Sequence, residues 1–303
     1  MKRIFKILVN FIVFSIKAVF FMIILLIMFI GLTIYQNNSI KVSKEVYKSE
    51  RLPDEFDGLK ILQLSDLHSQ YFGENNKKLI DKIIKESPDL IFITGDLVDY
   101  NRFEERVSIS LIEEIIKVAP IYFVYGNHEM ILNDDPENNE FKLALEGLGV
   151  NILNNKSTKI IKGDSYINLL GIQDPSTVYK DRRFRYCDTQ EDIIREELNI
   201  VTSNIKDSEF NILLSHRPEF IDIYSEYTQL DLAFTGHAHG GQFRIPFIGG
   251  VYAPNQGFFP KYTAGVHVRD RLTMFISRGL GNSKIPIRIF NTPEIISVTL
   301  KTK

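Results

Sequence analysis

The chain has 303 residues, 44% hydrophobic and 24% charged, with a formal net charge of −2. That balance is globular, long enough for one large or two small domains, and offers no basic face for nucleic acid. A single cysteine, Cys187, excludes an intrachain disulfide; it stands in a polar stretch without a partner motif and is read as incidental.

Residues 1–40 differ from the rest. Lys2, Arg3, Lys6 and Lys17 precede a charge-free apolar run from Ala18 to Tyr35, which matches the ~20 residues a spanning helix requires. The competing reading is a cleaved signal peptide, whose apolar core is usually ~7–15 residues and ends in a small-x-small site. No Ala-x-Ala-like site follows Tyr35, which favours an uncleaved anchor. Four basic residues before the span are matched by four after it (Lys41, Lys44, Lys48, Arg51), so charge alone does not orient it. The short amino-terminal leader favours placing the remainder outside. The expected organisation is an anchor over 1–40, a polar linker over 41–55 and one domain over 56–303.

From residue 56 onward, apolar strands run repeatedly into polar clusters. Gly58–Ser65 alternates as a strand and ends in Asp66-Leu-His68. Asn75–Glu86 carries a helical apolar face, stopped by Ser87-Pro88. Leu90–Ile93 reads as a strand buried on both faces, followed by Gly95-Asp96 and Asp99. A helix over about 103–118 ends before Pro120, and Ile121–Tyr125 delivers Gly126-Asn127-His128-Glu129. Strand and helix in alternation imply a parallel sheet with both faces covered. A polar segment, Asn133–Glu140, leads into a helix through Leu148.

The chain then turns β-rich, with a hairpin of Lys159–Lys162 and Tyr166–Gly171 about Gly163-Asp164. Asp181–Tyr186, basic and aromatic, reads either as a solvated loop or as a grip for an anionic group. A helix near 190–205 precedes the strand Asn211–Leu214 and Ser215-His216-Arg217-Pro218. Pro218 opens another helix, and Leu230–Thr235 leads to Gly236-His237-Ala238-His239-Gly240. The remainder reads as hairpins rich in Gly and Pro. The sequence has no internal repeat and no low-complexity segment.

Five of the six histidines follow expected strands: His68, His128, His216, His237 and His239. Only His267 lies within an alternating stretch. Imidazole and carboxylate together suit Mn, Fe or Zn, whereas Mg and Ca sites are built mainly of oxygen. Asp96 is the candidate bridge between two ions. Glycines at 95, 126, 236, 240 and 241 allow tight turns and close backbone approach beside these residues.

The ordered blocks D-x-H, G-D-x-x-D, G-N-H-E, S-H-x-P and G-H-x-H-G-G-Q, over about residues 59–245, resemble the calcineurin-like metallophosphoesterase superfamily. Gly240-Gly241-Gln242, Arg244-Ile-Pro246, Ser277–Gly281 and Pro293-Glu294-Ile295 further resemble its membrane-associated YkuE/YaeI-like subfamily. Members of that group are described as phosphodiesterases or UDP-2,3-diacylglucosamine pyrophosphatases. Some carry a twin-arginine leader, where this chain has Lys2-Arg3.

The resemblance implies an α/β fold, a four-layer αββα sandwich preceded by one transmembrane helix. It implies two divalent ions: Asp66, His68 and His239 on the first, Asn127, His216 and His237 on the second, and Asp96 on both. His128 would stand near the scissile phosphate, oriented by Asp99, and donate to the leaving oxygen, while Glu129 is structural. The implied reaction is in-line attack on phosphorus by a metal-activated hydroxide. The partners expected are the lipid bilayer and a phosphate-containing, lipid-linked substrate, with no nucleic acid. The alternatives are a phosphodiesterase or phosphatase acting on a soluble nucleotide or phosphoprotein, and a non-catalytic metal-binding scaffold. The apolar stretch Phe243–Tyr252 with Phe258-Phe259 reads equally as a grip on acyl chains and as core-facing hairpins.

Overall fold

The computed structural model describes residues 2–133, 139–176, 189–282 and 286–303. Cys187 and the stretch Asp181–Tyr186 lie outside these residues. The chain opens with α1 (Lys2–Asn38), a helix of 37 residues whose apolar side chains are exposed all round. Only Thr33 and Gln36 on it are buried. By length and composition it can cross a membrane.

Residues 41–55, expected as a linker, do not form one. Lys41–Ser49 is a strand, β1, paired in parallel with the carboxyl-terminal strand of the chain. Its polar composition concealed it. An edge strand needs hydrogen-bond partners on one side only, and charged side chains keep its free side from pairing further. Lys41, Lys44 and Lys48 fill that role, while Val42 and Tyr47 pack against the core.

The first half continues with β2 (Lys60–Leu64), α2 (Lys77–Glu86), β3 (Leu90–Thr94), α3 (Glu105–Ile115), β4 (Ile121–Val124), α4 (Asn127–Asn133), α5 (Asn139–Gly147) and β5 (Asn151–Ile152). The second half holds β6 (Lys156–Lys162), β7 (Ser165–Gly171), α6 (Gln190–Thr202), β8 (Asn211–Leu214), α7 (Ile221–Glu226) and β9 (Leu232–Thr235). Two short pairs follow, β10 (Arg244–Ile245) with β11 (Gly249–Gly250) and β12 (Tyr252–Ala253) with β13 (Gly257–Phe258). The chain closes with β14 (Gly265–Arg269), β15 (Leu272–Ile276) and β16 (Glu294–Thr302).

Among these residues the strands make two six-stranded sheets, ordered β1-β16-β2-β3-β4-β5 and β14-β15-β9-β8-β7-β6. Both are mixed: β16 is antiparallel to β2, β14 to β15 and β6 to β7, around parallel centres. Alternation along the strands builds the layers. Leu90 and Phe92 of β3 face Ile212 and Leu214 of β8 in a core between the sheets. Ile91 and Ile93 point the other way, onto Leu79 and Ile83 of α2 and Leu111 and Ile115 of α3. Leu213 and Ala233 point away from the shared core onto Ile194 and Leu198 of α6 and Ile223 of α7. The result is helix, sheet, sheet, helix: the four-layer sandwich expected.

Local signals set the helix ends. Thr189 and Asp192 form a reciprocal capping box at the start of α6. Ser87, at φ 47°, closes α2 just before Pro88. The parallel strands β2, β3 and β4 of one sheet and β8 and β9 of the other end where the two sheets meet, and their loops converge there.

Candidate metal and active site

The loops after these strands interlock through main-chain bonds. Asp66 N–H donates to Gly95 O at 2.9 Å, His68 N–H to Asp96 O at 3.0 Å, and Gly236 N–H to His216 O at 3.0 Å. The backbone is held in an unusual state to do this. Asp66, His68, Asp96, His237 and His239 all have positive φ, between 46° and 62°. Each such residue costs about 1–3 kcal/mol and persists only where its surroundings force it. Glycine is required where the loops touch. A Cβ on Gly95, at φ 92°, would lie 2.4 Å from His216 Nδ1, and one on Gly126 would lie 2.2 Å from Asp96 Oδ1.

Three overlapping groups of buried ligand-type side chains result among the described residues: Asp66, His68 and His239; Asp96, His216 and His237; and His68 with Asp99 and His128. In the first, His68 Nε2 faces His239 Nε2 at 3.1 Å, and His239 Nε2 lies 3.5 Å from Asp66 Oδ1. In the second, His216 Nε2 faces His237 Nδ1 at 3.1 Å. Asp96 stands between them. Its Oδ1 accepts from His128 N–H at 2.9 Å, which leaves Oδ2 3.5 Å from His68 Nε2 and 3.2 Å from His216 Nε2. Each cluster of Asp and His could hold a metal ion.

The donor set fits divalent ions. Asn127 Oδ1 is buried and meets no hydrogen-bond donor, and the buried His237 Nε2 likewise has no partner. An unsatisfied buried carbonyl is costly unless something electropositive meets it. His216 Nδ1 lies 2.7 Å from the Thr94 carbonyl, so it carries a proton, and Nε2 is the nitrogen an ion would take, in place of the proton it otherwise shares with Asp96. Burial works against charge on His216, yet the Asp96 carboxylate outweighs it and pushes the imidazole up to about 10. The same negative field would serve a cation. Burial instead pushes His68, His237 and His239 below the usual imidazole range. Neutral rings are the ligating form.

Asp66 is fixed by Ser65 Oγ at 2.5 Å and by His237 N–H at 3.1 Å. Glu129 shapes the Asp96 turn: its carboxylate accepts from the backbone N–H groups of Asp96 (2.8 Å), Gly126 (2.9 Å) and Val98 (3.2 Å).

His128 is brought to the same place, its Nε2 4.0 Å from Asp96 Oδ2. Asp99 does not orient it as expected. Asp99 Oδ1 is 3.6 Å from His128 Nδ1, beyond hydrogen-bonding distance. The backbone N–H of Tyr100 donates to that nitrogen instead, at 3.1 Å. Asp99 is bound by Arg102, through Nε at 3.0 Å and Nη2 at 2.6 Å, and by the Asn101 N–H at 2.9 Å. A carboxylate so close to an arginine three residues on settles into that local pair.

Sequence reasoning missed two supports. Arg217 is buried beside His216, paired through Nη2 with Asp174 Oδ1 at 3.0 Å and with Ser176 Oγ at 2.6 Å. Nothing around Asp174 marks it in the sequence. Arg288 is fully buried, and its Nη1 donates to the Arg278 carbonyl at 2.9 Å. It steadies the 278–281 loop, whose Gly281 N–H donates to Asp66 O at 2.6 Å. The clusters open into a pocket of about 360 Å³, lined by Asp96, Asn127, His128, Arg217, His237 and His239 with Tyr100, Gln242 and Tyr252 among others. That volume suits a small-molecule site.

Buried carboxylate–imidazole clusters sharing one aspartate, at the meeting edge of two mixed sheets, define a metal-dependent phosphoesterase. The chain belongs to the calcineurin-like phosphoesterase family, which it matches over residues 59–241. It is 30% identical over 268 residues to the uncharacterized metallophosphoesterase YkuE of Bacillus subtilis (strain 168), covering 87% of this chain and 86% of that protein. It is 26% identical over 248 residues to the phosphodiesterase YaeI of Escherichia coli (strain K12), covering 80% and 82%. A transmembrane protein with metallophosphoesterase domain from Danio rerio is 28% identical over 258 residues, covering 83% of this chain and 55% of that one.

Proposed function

We propose that this protein is a membrane-anchored phosphoesterase that uses two divalent ions to hydrolyse a phosphodiester or pyrophosphate bond in a lipid-linked substrate. UDP-2,3-diacylglucosamine or a similar lipid-linked pyrophosphate is the specific candidate. The observation that carries the reading is the position of Asp96 Oδ2, within 3.5 Å of an imidazole nitrogen from each cluster. One carboxylate shared in this way offsets the repulsion between two nearby cations.

Asp66, His68 and His239 would hold the first ion, Asn127, His216 and His237 the second, with Asp96 common to both. Mixed nitrogen and oxygen donors suit Mn, Fe or Zn. Ions bound there would make water a nucleophile near neutral pH and offset charge on the phosphoryl oxygens. The chain's own residues orient the rest. His128 Nδ1 is occupied by the Tyr100 N–H, so its proton sits on Nε2, toward the pocket. From there it would donate a hydrogen bond to the oxygen that leaves as its bond to phosphorus breaks, offsetting the negative charge that develops there while the ring stays neutral. α1 would anchor the enzyme in the bilayer with the catalytic domain on the extracytoplasmic side.

The test is to incubate the metal-loaded, detergent-solubilised full chain with UDP-2,3-diacylglucosamine beside bis-p-nitrophenyl phosphate. Release of UMP is expected. Cleavage of the small diester alone would overturn the pyrophosphatase assignment and leave the phosphodiesterase.

A further inference from the structure

We propose that residues 243–259, together with Phe290, form a second membrane contact that seats the mouth of the catalytic pocket on the headgroups of a lipid bilayer. The proposal rests on the reading of α1 as a membrane-spanning helix, and its test separates the two.

The surface is apolar where water is the only neighbour. Phe247 is fully exposed, Phe258 is 75% exposed and Ile248, Phe259 and Phe290 are each more than half exposed. Single exposed apolar residues are ordinary, but five gathered on adjoining turns make a patch of the kind that marks an interaction surface. The backbone adds weight to this. Phe247, Phe259 and Phe290 have φ of 68°, 51° and 52°, a region that bulky residues rarely enter. Glycine or asparagine would occupy those turns at less cost.

The end of α1 lies beside the patch. Asn37, at the end of α1, donates through Nδ2 to Pro286 O at 2.7 Å and accepts at Oδ1 from Arg288 N–H at 3.0 Å. Phe290 is two residues further along, so within about 7 Å of that hydrogen bond. The Arg244 N–H donates to Ile289 O at 2.9 Å, fixing the β10–β11 hairpin to the same segment. Phe290 and residues 244–249 line one shallow hollow of about 350 Å³. A spanning helix leaves the bilayer where its apolar run ends, and the exposed Tyr35 is the residue type that sits at that boundary. The groups bonded to Asn37 are therefore at headgroup depth, and the hairpin tips beside them meet lipid. The exposed Lys261, just past Phe258 and Phe259, is placed to meet anionic headgroups.

The strip is equally continuous with the active site. Phe259 N–H donates to Val251 O at 2.9 Å, and the Tyr252 and Phe258 rings meet edge to face at 5.4 Å. Tyr252, Pro254 and Asn255 are in turn part of the pocket wall that faces His237 and His239. One segment thus joins the anchor, the apolar tips and the metal site. A substrate taken at this mouth is an amphiphile whose phosphate enters the pocket while its apolar part stays in the bilayer.

The chain contains no tryptophan, so a single introduced one is a clean reporter. The full chain is reconstituted in phosphatidylcholine–phosphatidylglycerol vesicles, with and without lipid brominated in the upper acyl chain. Four variants are compared: Phe247→Trp, Phe259→Trp, Phe21→Trp within α1, and Ile161→Trp on the edge strand β6. An unchanged melting temperature shows that each is folded. Brominated lipid is expected to remove most of the emission at positions 247, 259 and 21 and to leave 161 unchanged. Loss at 21 with 247 and 259 behaving like 161 would overturn the second contact and leave the anchor standing. No loss at 21, 247 or 259 would overturn both. Blue-shifted but unquenched emission at 247 and 259 would mean that a second copy of the chain covers the strip, and the proposal would fail.

Discussion

The backbone N–H of Tyr100 donates to His128 Nδ1 at 3.1 Å, and this bond decides where the imidazole keeps its proton. A main-chain amide can only donate, so Nδ1 must accept and the neutral ring carries its hydrogen on Nε2. That is the nitrogen directed at Asp96 and the pocket. A backbone donor cannot ionise or be replaced, which makes the tautomer insensitive to nearby side chains.

His128→Asn should therefore keep the fold and both ions and lose activity by ~10²–10⁴, the range for a positioned acid or base. The deficit should shrink for leaving groups of low pKa such as p-nitrophenol, whose departing oxygen carries less charge and gains less from a hydrogen bond. Asp99→Asn should cost much less than His128→Asn, because Asp99 is held by Arg102 rather than by the imidazole. Rates on substrates with graded leaving groups, with metal content measured in parallel, check both. Loss of an ion in His128→Asn would make it a ligand, and an equal deficit for every leaving group would remove the hydrogen bond to the leaving oxygen.

Asp96→Asn tests the shared carboxylate. Its Oδ2 serves both clusters, so removing the charge should weaken both ions together, whereas Asp66→Asn should chiefly weaken the first. Metal titration of the purified protein distinguishes these outcomes. Two ions retained at parental affinity in Asp96→Asn would defeat the bridging role.

Gly126→Ala separates packing from charge. Gly126 is not in the left-handed region, so alanine suits its φ, but its Cβ would fall 2.2 Å from Asp96 Oδ1 and 2.7 Å from the Asp96 backbone nitrogen. The carboxylate and the Asp96 turn must both move. Overpacking of this kind costs ~1–3 kcal/mol. The expected result is a folded, modestly destabilised protein with weakened metal binding, read by thermal melting and metal titration. Unchanged metal affinity would show that the Asp96 position is not critical.

Glu197, buried in α6, predicts a pH effect away from the metal site. Burial pushes its carboxyl up to about 8, against the opposing hydrogen bond from Asn155 Nδ2 at 3.1 Å. A folded-state value above the unfolded 4.5 means that the contribution to stability is complete below pH 4.5 and is lost as pH rises toward 8. Glutamine imitates the protonated form at every pH. Glu197→Gln should therefore match the parent near pH 4.5 and exceed it at pH 8, on the order of 1–3 kcal/mol. Melting temperatures of variant and parent at the two pH values test this; an equal difference at both would refute it.

Much of this protein was legible along the chain because its chemistry lies in short segments. Strand, glycine and ligand are contiguous in Thr94-Gly95-Asp96 and Thr235-Gly236-His237, and short continuous apolar runs marked β3 and β8 as strands buried on both faces. The apolar run of residues 18–35 likewise shows itself by length alone. Partners far apart in sequence were not legible. β1 reads as a polar tether because its stability comes from pairing with β16, some 250 residues away. Asp174 means nothing until Arg217 reaches it, and Arg288 is an unremarkable cation until the fold buries it among carbonyls. The Tyr100 amide could not be seen at all, since a backbone N–H leaves no mark in a sequence. Local pattern fixes which residue types stand at the strand ends, and only the packing of two sheets decides which of their atoms meet.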